Sequence, residues 1–290
     1  MKLIIFVFAG REYCMNLQLP YIIKILNEYP DSEYHVWNFA RNENDNQYLN
    51  TLPSKHDRIK IFNDYYEGPN PIKECTKKPN HICYCEKCRT GKWSEPYKFY
   101  SSDEYSDCLF LKLDDDIVYM DLDGFGSYLK TIKDNPECVI SANVINNGVC
   151  AYFDPIIKEK VISNRLILKE DKFNKWFILC VDYNFLNLCH DMFLSNEYTK
   201  VENIIAFTDS KISINTIGFN YNIMCEVGGI LSKLADKIHD EMVFSHHTTV
   251  LIYQNFITSH LHFSDQNAKM SEDVKKTYIQ KYKELCSTII

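Results

Sequence analysis

With 290 residues, 46% hydrophobic and 14% aromatic, the chain can bury a sizeable core, and nine Gly and nine Pro are too few for long linkers or disorder. A formal net charge of −7 argues against a general nucleic-acid binder, so an anionic ligand would need a local basic site or a metal ion. No apolar run approaches the ~20 residues of a membrane-spanning helix. Twelve cysteines in a chain of this length without a signal-like start read as reduced thiols, and hence as a cytoplasmic setting.

The start, "MKLIIFVFAGREYCMN", places seven apolar residues from Leu3 to Ala9 directly before charge, with no small-x-small cleavage site, so it reads as a buried strand and not as a signal peptide. The segment 2–9 is therefore the first predicted strand, and "MNLQLPYIIKILNEY" (15–29) the first helix. A strand over 33–40, a polar helix over 42–52 and a strand over 57–63 follow. Beyond a long loop come a strand over 107–113, a helix over 122–134 and a strand over 137–144. Near-continuous apolar strands joined by amphipathic helices imply a parallel sheet covered on both faces. In the second half, "DYNFLNLCHDMFLS" has helical spacing, 210–220 alternates like a strand, and 227–244 reads as a helix behind a Gly pair. With no internal repeat or boundary signal, one domain is expected.

The long loop, 64–96, carries "CTKKPNHICYCEKC", in which Cys75, His81, Cys83, Cys85 and Cys88 offer five soft ligands within fourteen residues. Structural zinc takes four such ligands, and Cys85-x₂-Cys88 is a usual half-site. The other spacings are irregular, so a Cys-rich insertion without metal is the competing reading.

"FLKLDDDIVYMD" (110–121) sets three aspartates behind an apolar strand. Two carboxylates about 4 Å apart repel by roughly 4 kcal/mol at an effective dielectric near 20, so the run belongs either in water or around a cation. In a sheet of this kind ligands bind beyond the carboxyl ends of the strands, where Gly10, Arg11 and Arg41 also fall. Strand alternation puts Asp114 and Asp116 on one side and Asp115 on the other. Hard oxygen ligands suit Mg²⁺ or Mn²⁺ bound together with substrate phosphates.

A strand ending in "KLDDDIVYMD" resembles the D-x-D motif of GT-A glycosyltransferases, which hold a nucleotide-sugar through Mn²⁺ or Mg²⁺. Further pieces resemble a group that includes small glycosyltransferases of large DNA viruses and bacteria. These are "FVFAGRE" (6–12), "HVWNFARNENDNQYL" (35–49), "GKWSEPYKFY" (91–100), "VISANVINN" (139–147), "KISINTIGF" (211–219), "DEM" (240–242) and "HLHFSDQ" (260–266). The resemblance implies an α/β, GT-A-like open mixed, mostly parallel sheet flanked by helices, in a single domain over 1–270. Residues 1–150 would bind the nucleotide-sugar, 151–270 would shape the acceptor side, and 271–290 would form a C-terminal helix.

It also implies roles. Asp114, Asp116 and His262 would hold the metal, with His260 the rival two residues away. Gly10 would let the backbone approach the nucleotide, and Arg11 or Arg41 would meet the diphosphate as a fork donor. Asp114 and Asp115 would reach the nucleotide, and Asn143 and Asn215 the sugar. Asp240 or Glu241 would deprotonate the acceptor hydroxyl of an inverting enzyme; a retaining enzyme needs no base there. The implied partners are a UDP-sugar donor and a glycan or glycoconjugate acceptor. A nucleotidyltransferase, or an inactive zinc-stapled binding module, are the competing readings. "AGREYC" is poor in the glycines and basic residues a nucleotidyltransferase loop would carry.

Overall fold

A computed structural model of the chain describes residues 2–64, 94–168, 173–198, 203–207, 212–234 and 240–288. The first half runs β1 (Lys2–Ala9), α1 (Glu12–Glu28), β2 (Ser32–Asn38), α2 (Glu43–Thr51), β3 (Ile59–Phe62), α3 (Glu95–Tyr100), β4 (Cys108–Asp114), β5 (Ile117–Met120), α4 (Phe125–Asp134) and β6 (Cys138–Ile145). The second half runs α5 (Gly148–Phe153), α6 (Pro155–Ser163), α7 (Tyr183–Leu194), β7 (Ile204–Phe207), β8 (Thr216–Asn220), α8 (Tyr221–Leu234), α9 (Asp240–His247), β9 (Thr249–His260), α10 (Ser264–Lys269) and α11 (Glu272–Ser287).

The nine strands among the described residues form one sheet in the order β3-β2-β1-β4-β8-β6-β9-β5, with β7 also paired to β9. Strands β3, β2, β1 and β4 are mutually parallel, β8 runs antiparallel between β4 and β6, and β9 is parallel to β6 while β5 and β7 oppose it. Thus β1, β2, β3, β4, β6 and β9 share one direction, and their carboxyl ends line one edge. The expected open, mixed, mostly parallel α/β sheet in a single domain is what the chain forms.

Both faces of β1 are apolar because both are covered. Leu3, Ile5, Val7 and Ala9 pack with Tyr21 and Ile25 of α1 and Phe125 and Tyr128 of α4. Ile4, Phe6 and Phe8 pack with Tyr97 and Tyr100 of α3, Met224 and Val227 of α8, and Phe244 of α9. A smaller core joins Leu17 of α1, Val118 of β5 and Leu261 to Tyr278 and Tyr282 of α11.

Two expectations need correction. The strand expected over 210–220 is, among the described residues, Thr216–Asn220, the stretch that pairs with β4 from Leu113 opposite Thr216 to Leu109 opposite Asn220; residues 212–215 are buried but lie before that pairing. The helix expected over 227–244 already starts at Tyr221; the described residues within it are helical over Tyr221–Leu234 and again from Asp240. Gly228 therefore lies inside α8, where a β-carbon would come within 3.0 Å of the Tyr97 carbonyl oxygen of α3. No strand was expected over β9, although Thr249–His260 is rich in β-branched and aromatic residues. Its pairing with β6 shifts register between Ala142 and Asn143.

The Cys75, His81, Cys83, Cys85 and Cys88 cluster lies outside the described residues. Every cysteine among the described residues is a free thiol. Among them, no helix is long and apolar enough to cross a membrane.

Candidate active site at the carboxyl edge of the sheet

Four of the co-directional strands deliver their next residues to one corner: Gly10-Arg11 after β1, Asp114–Asp116 at the end of β4, Asn146-Asn147 after β6, and His260–His262 at the end of β9. The aspartate turn is clasped by Gln18 of α1, whose amide donates to the carbonyls of Asp114 (3.0 Å) and Ile117 (3.3 Å). The Leu261 amide donates to the Asp116 carbonyl at 2.9 Å. With Leu261 buried on one side, strand alternation turns both flanking histidines toward Asp116.

The three aspartates have separate partners. Asp114 receives the Lys112 ammonium on Oδ1 (2.6 Å) and the Asn215 amide on Oδ2 (2.9 Å). Asn215 is itself held by Asn147 (3.2 Å), which also caps α5 through the amides of Val149 and Cys150. Asp115 turns the other way and accepts from the Gly10 amide (2.8 Å) and the Arg11 guanidinium (2.8 Å). A side chain at Gly10 would set its β-carbon 2.9 Å from the Phe39 carbonyl oxygen, so glycine is needed for this approach. Asp116 meets Arg11 through Oδ2. Its Oδ1 lies 3.0 Å from His260 Nε2, while His262 Nδ1 is 3.7 Å from Oδ2.

Carboxylate oxygens of Asp114 and Asp116 and a ring nitrogen of His260 lie within 4.8 Å of one another, close enough to share one ion. The donor set fits Mn²⁺ or Mg²⁺: two hard carboxylates and one imidazole. Among the described residues, the buried Nδ1 atoms of both His260 and His262 have no hydrogen-bond partner, an expense a closed protein core ordinarily avoids. The rival histidine, His260, is thus the one grouped with the aspartates. His262 stands one step back, its Nε2 bonded to the Tyr13 hydroxyl at 2.9 Å.

Charge at this corner is unevenly matched. Burial opposes ionisation of Asp116, but Arg11, His260 and His262 outweigh it and hold its carboxyl below the usual range. Burial pushes Asp115 up, with Arg11 opposing and Asp116 adding to the rise. Burial drives His262 down to about 4 against the pull of Asp116, so its ring is neutral at pH 7. Burial also opposes the charge on Lys112, yet Asp114 and then Asp240 raise it overall.

The other expected residues are placed as follows. Arg41 is exposed beyond the end of β2, and its charge reaches Asp115. Asp240 and Glu241 open α9; their charges act on Lys112, and Asp240 Oδ2 accepts from the Tyr97 hydroxyl at 2.7 Å. Asn215 joins the aspartates directly, whereas buried Asn143 accepts from Tyr198 at 3.2 Å. Lys112, Asn147 and Tyr13 were not anticipated. Lys112 was readable in principle, since a lysine two residues before an aspartate on a buried strand shares its face and needs that carboxylate.

The histidine segment is braced from behind. His190 of α7 contacts the Leu261 carbonyl (2.9 Å) and the Tyr282 hydroxyl of α11 (2.7 Å), and that hydroxyl also meets Ser259 (2.7 Å). The amides of Asn146 and Gln266 pair reciprocally at 2.9 and 3.0 Å, and Asn146 also reaches the His260 carbonyl.

No protein-family model matches the sequence, and no curated protein matches it. Among solved structures, a galactosyltransferase, LgtC, in complex with donor and acceptor sugar analogues is similar at 11% identity and a TM-score of 0.45, covering 99% of this chain and 95% of its own. A 4-diphosphocytidyl-2C-methyl-D-erythritol synthase from Anaerococcus prevotii is similar at 8% identity and a TM-score of 0.44, with 96% of each chain covered. The 2-C-methyl-D-erythritol 4-phosphate cytidylyltransferase of Francisella tularensis is similar at 8% identity and a TM-score of 0.43, over 97% of this chain and 100% of its own.

Proposed function

We propose that the chain is a metal-dependent glycosyltransferase that moves a sugar from a nucleotide-diphosphate donor, a UDP-sugar, to a hydroxyl of a glycan or glycoconjugate. The observation that carries this reading is the gathering of Asp114, Asp116 and His260 at the carboxyl edge of the sheet, where α/β folds bind their ligands. Mn²⁺ or Mg²⁺ held there would neutralise the departing diphosphate as a Lewis acid.

The chain's own residues supply the rest. Lys112 and Asn215 fix the orientation of Asp114, and Leu261 fixes the strand that carries His260. Arg11 and Arg41 stand on the β1–β2 side of the aspartates, where a diphosphate would be drawn. Asp240 acts by its charge on Lys112, beside the aspartates. Its Oδ2 takes the Tyr97 proton donor and its Oδ1 the Glu241 amide at 2.9 Å, which orients a carboxylate for accepting a proton from an acceptor hydroxyl.

Thermal unfolding with UDP, with and without Mn²⁺, tests the reading. A ligand at a hundredfold excess over its dissociation constant stabilises by about 2.7 kcal/mol, or roughly 5 °C in a chain of this size. That shift should need Mn²⁺ and vanish in Asp116→Asn. Release of UDP from a UDP-sugar would then establish transfer, whereas release of pyrophosphate from a nucleoside triphosphate would make the chain a nucleotidyltransferase. A lack of any metal-dependent shift would return the aspartates to a structural role.

A further inference from the structure

Arg11 sits where a bound cation would be expected to act. Its Nη1 bridges Asp115, at 2.8 Å, and Asp116, one of the three candidate metal ligands. Asp115 cannot follow Asp116 if that residue moves, because the Gly10 amide pins its other oxygen at 2.8 Å. The arginine is therefore anchored by one aspartate while it neutralises the next. The lysine does the same on the other flank, since Lys112 holds Asp114 and is itself tied to the Ile214 carbonyl at 2.9 Å.

Charge gives this arrangement its consequence. Among the described residues, Arg11 and Lys112 are the arginine and lysine side chains that bond the three aspartates directly. A divalent cation arriving alone would have to share Asp116 with the Arg11 guanidinium, two positive charges repelling each other across one carboxylate. A divalent cation arriving with a diphosphate brings negative charge with it and offers Arg11 a second anion to bridge, in the planar two-pronged geometry a guanidinium favours.

We infer that Arg11 is a resident competitor of the metal, which weakens binding of the bare cation and makes metal and diphosphate bind cooperatively. The inference rests on the metal-site reading above. It gives Asp115 a role of its own: that residue holds the competing arginine and is not a third metal ligand. Because coupling between two ligands is reciprocal, the diphosphate should raise metal affinity by the same factor as the metal raises diphosphate affinity.

The test is Mn²⁺ titration of the full chain, read as free Mn²⁺ by electron paramagnetic resonance, with and without UDP. Arg11→Met should bind Mn²⁺ alone about tenfold tighter than the unaltered chain, within the usual range of coupling between sites, and UDP should then strengthen Mn²⁺ binding less. Arg11→Lys, which keeps the charge, should stay close to the unaltered chain. Should Arg11→Met fail to fold, Arg11→Gln removes the charge but keeps amide donors and should show the same tightening. Equal or weaker Mn²⁺ binding in the uncharged variants would overturn the inference and leave Arg11 a structural clamp, with the metal reading intact. If neither the unaltered chain nor the variants bind Mn²⁺ and Asp116→Asn changes nothing, the metal reading and this inference fall together.

Discussion

Glu33 and Asp116 sit at opposite edges of the same sheet, and both carboxyls are held below their ordinary range, yet their surroundings differ in kind. Glu33, at the amino end of β2, meets His35 at 2.8 Å, Lys60 at 2.8 Å and Lys2 at 2.9 Å. The His35 hydrogen bond does most to lower it, against the cost of burial, and the two lysines add to the effect. The ring's other nitrogen is matched by the Tyr100 hydroxyl at 2.9 Å, and that hydroxyl also takes the Trp37 indole N–H. One anion there has more cationic partners than it needs. At the Asp116 corner, among the described residues, three anions share two directly bonded lysine and arginine side chains, and the Nδ1 atoms of His260 and His262 have no hydrogen-bond partner. A saturated cluster holds strands together; an unsaturated one has room for something else.

Removing a cation from the unsaturated corner should do the most damage. Lys112→Met leaves Asp114 with Asn215 alone and strips the buried Ile214 carbonyl of its donor. Breaking a buried ion pair from one side costs about 3–5 kcal/mol, and part-exposure of Asp114 places this case near 3 kcal/mol. Chemical denaturation should show that loss, and added Mn²⁺ should recover part of it. A loss below about 1 kcal/mol would mean that water screens the corner as well as it screens Glu33.

The brace behind the histidines should have a middling effect, visible in its pH dependence. Burial drives His190 down to about 3 from an ordinary value of 6.5, against the pull of the Leu261 carbonyl and with smaller contributions from His260 and His262. A folded value below the unfolded one means that the stabilising contribution is complete above pH 6.5. It is lost progressively as pH falls toward 3. Denaturation at pH 7 and pH 4 should show an acid loss that is smaller in His190→Gln by about 3 kcal/mol.

The smallest effect should come from the saturated cluster. Glu33→Gln should change stability by about 1 kcal/mol or less, because its lysine partners are substantially exposed, and should leave Mn²⁺ affinity unchanged. A change in Mn²⁺ affinity would show that the two edges are electrostatically linked across the sheet, and would undo the contrast.

The same contrast explains what could be read from the sequence. β1 was legible because both its faces are buried and apolar, β2 and β4 because they are mostly buried and rich in aromatic and aliphatic residues, and the three aspartates were legible because a strand that ends in a like-charge run asks for a cation. The choice between His260 and His262 was not legible. Both lie on one face of the strand, and only their distances from Asp116, set by the Leu261–Asp116 backbone bond, separate them. Lys112 looked like an ordinary residue in an apolar run, and Asn147 like one polar residue among several. Each matters through a partner far away in sequence. β9 was legible in its run of β-branched and aromatic residues and was overlooked; only its register shift against β6 is set by the strands beside it.

Distance along the chain bears on biosynthesis. The aspartates are translated well before His260, the β9 strand and the bracing hydroxyl of Tyr282. A chain made only as far as β4 holds the acidic half of the corner without the His260 ring and without the helix that braces it. The corner as a whole can therefore form only after the chain has been made past Tyr282, whatever it binds.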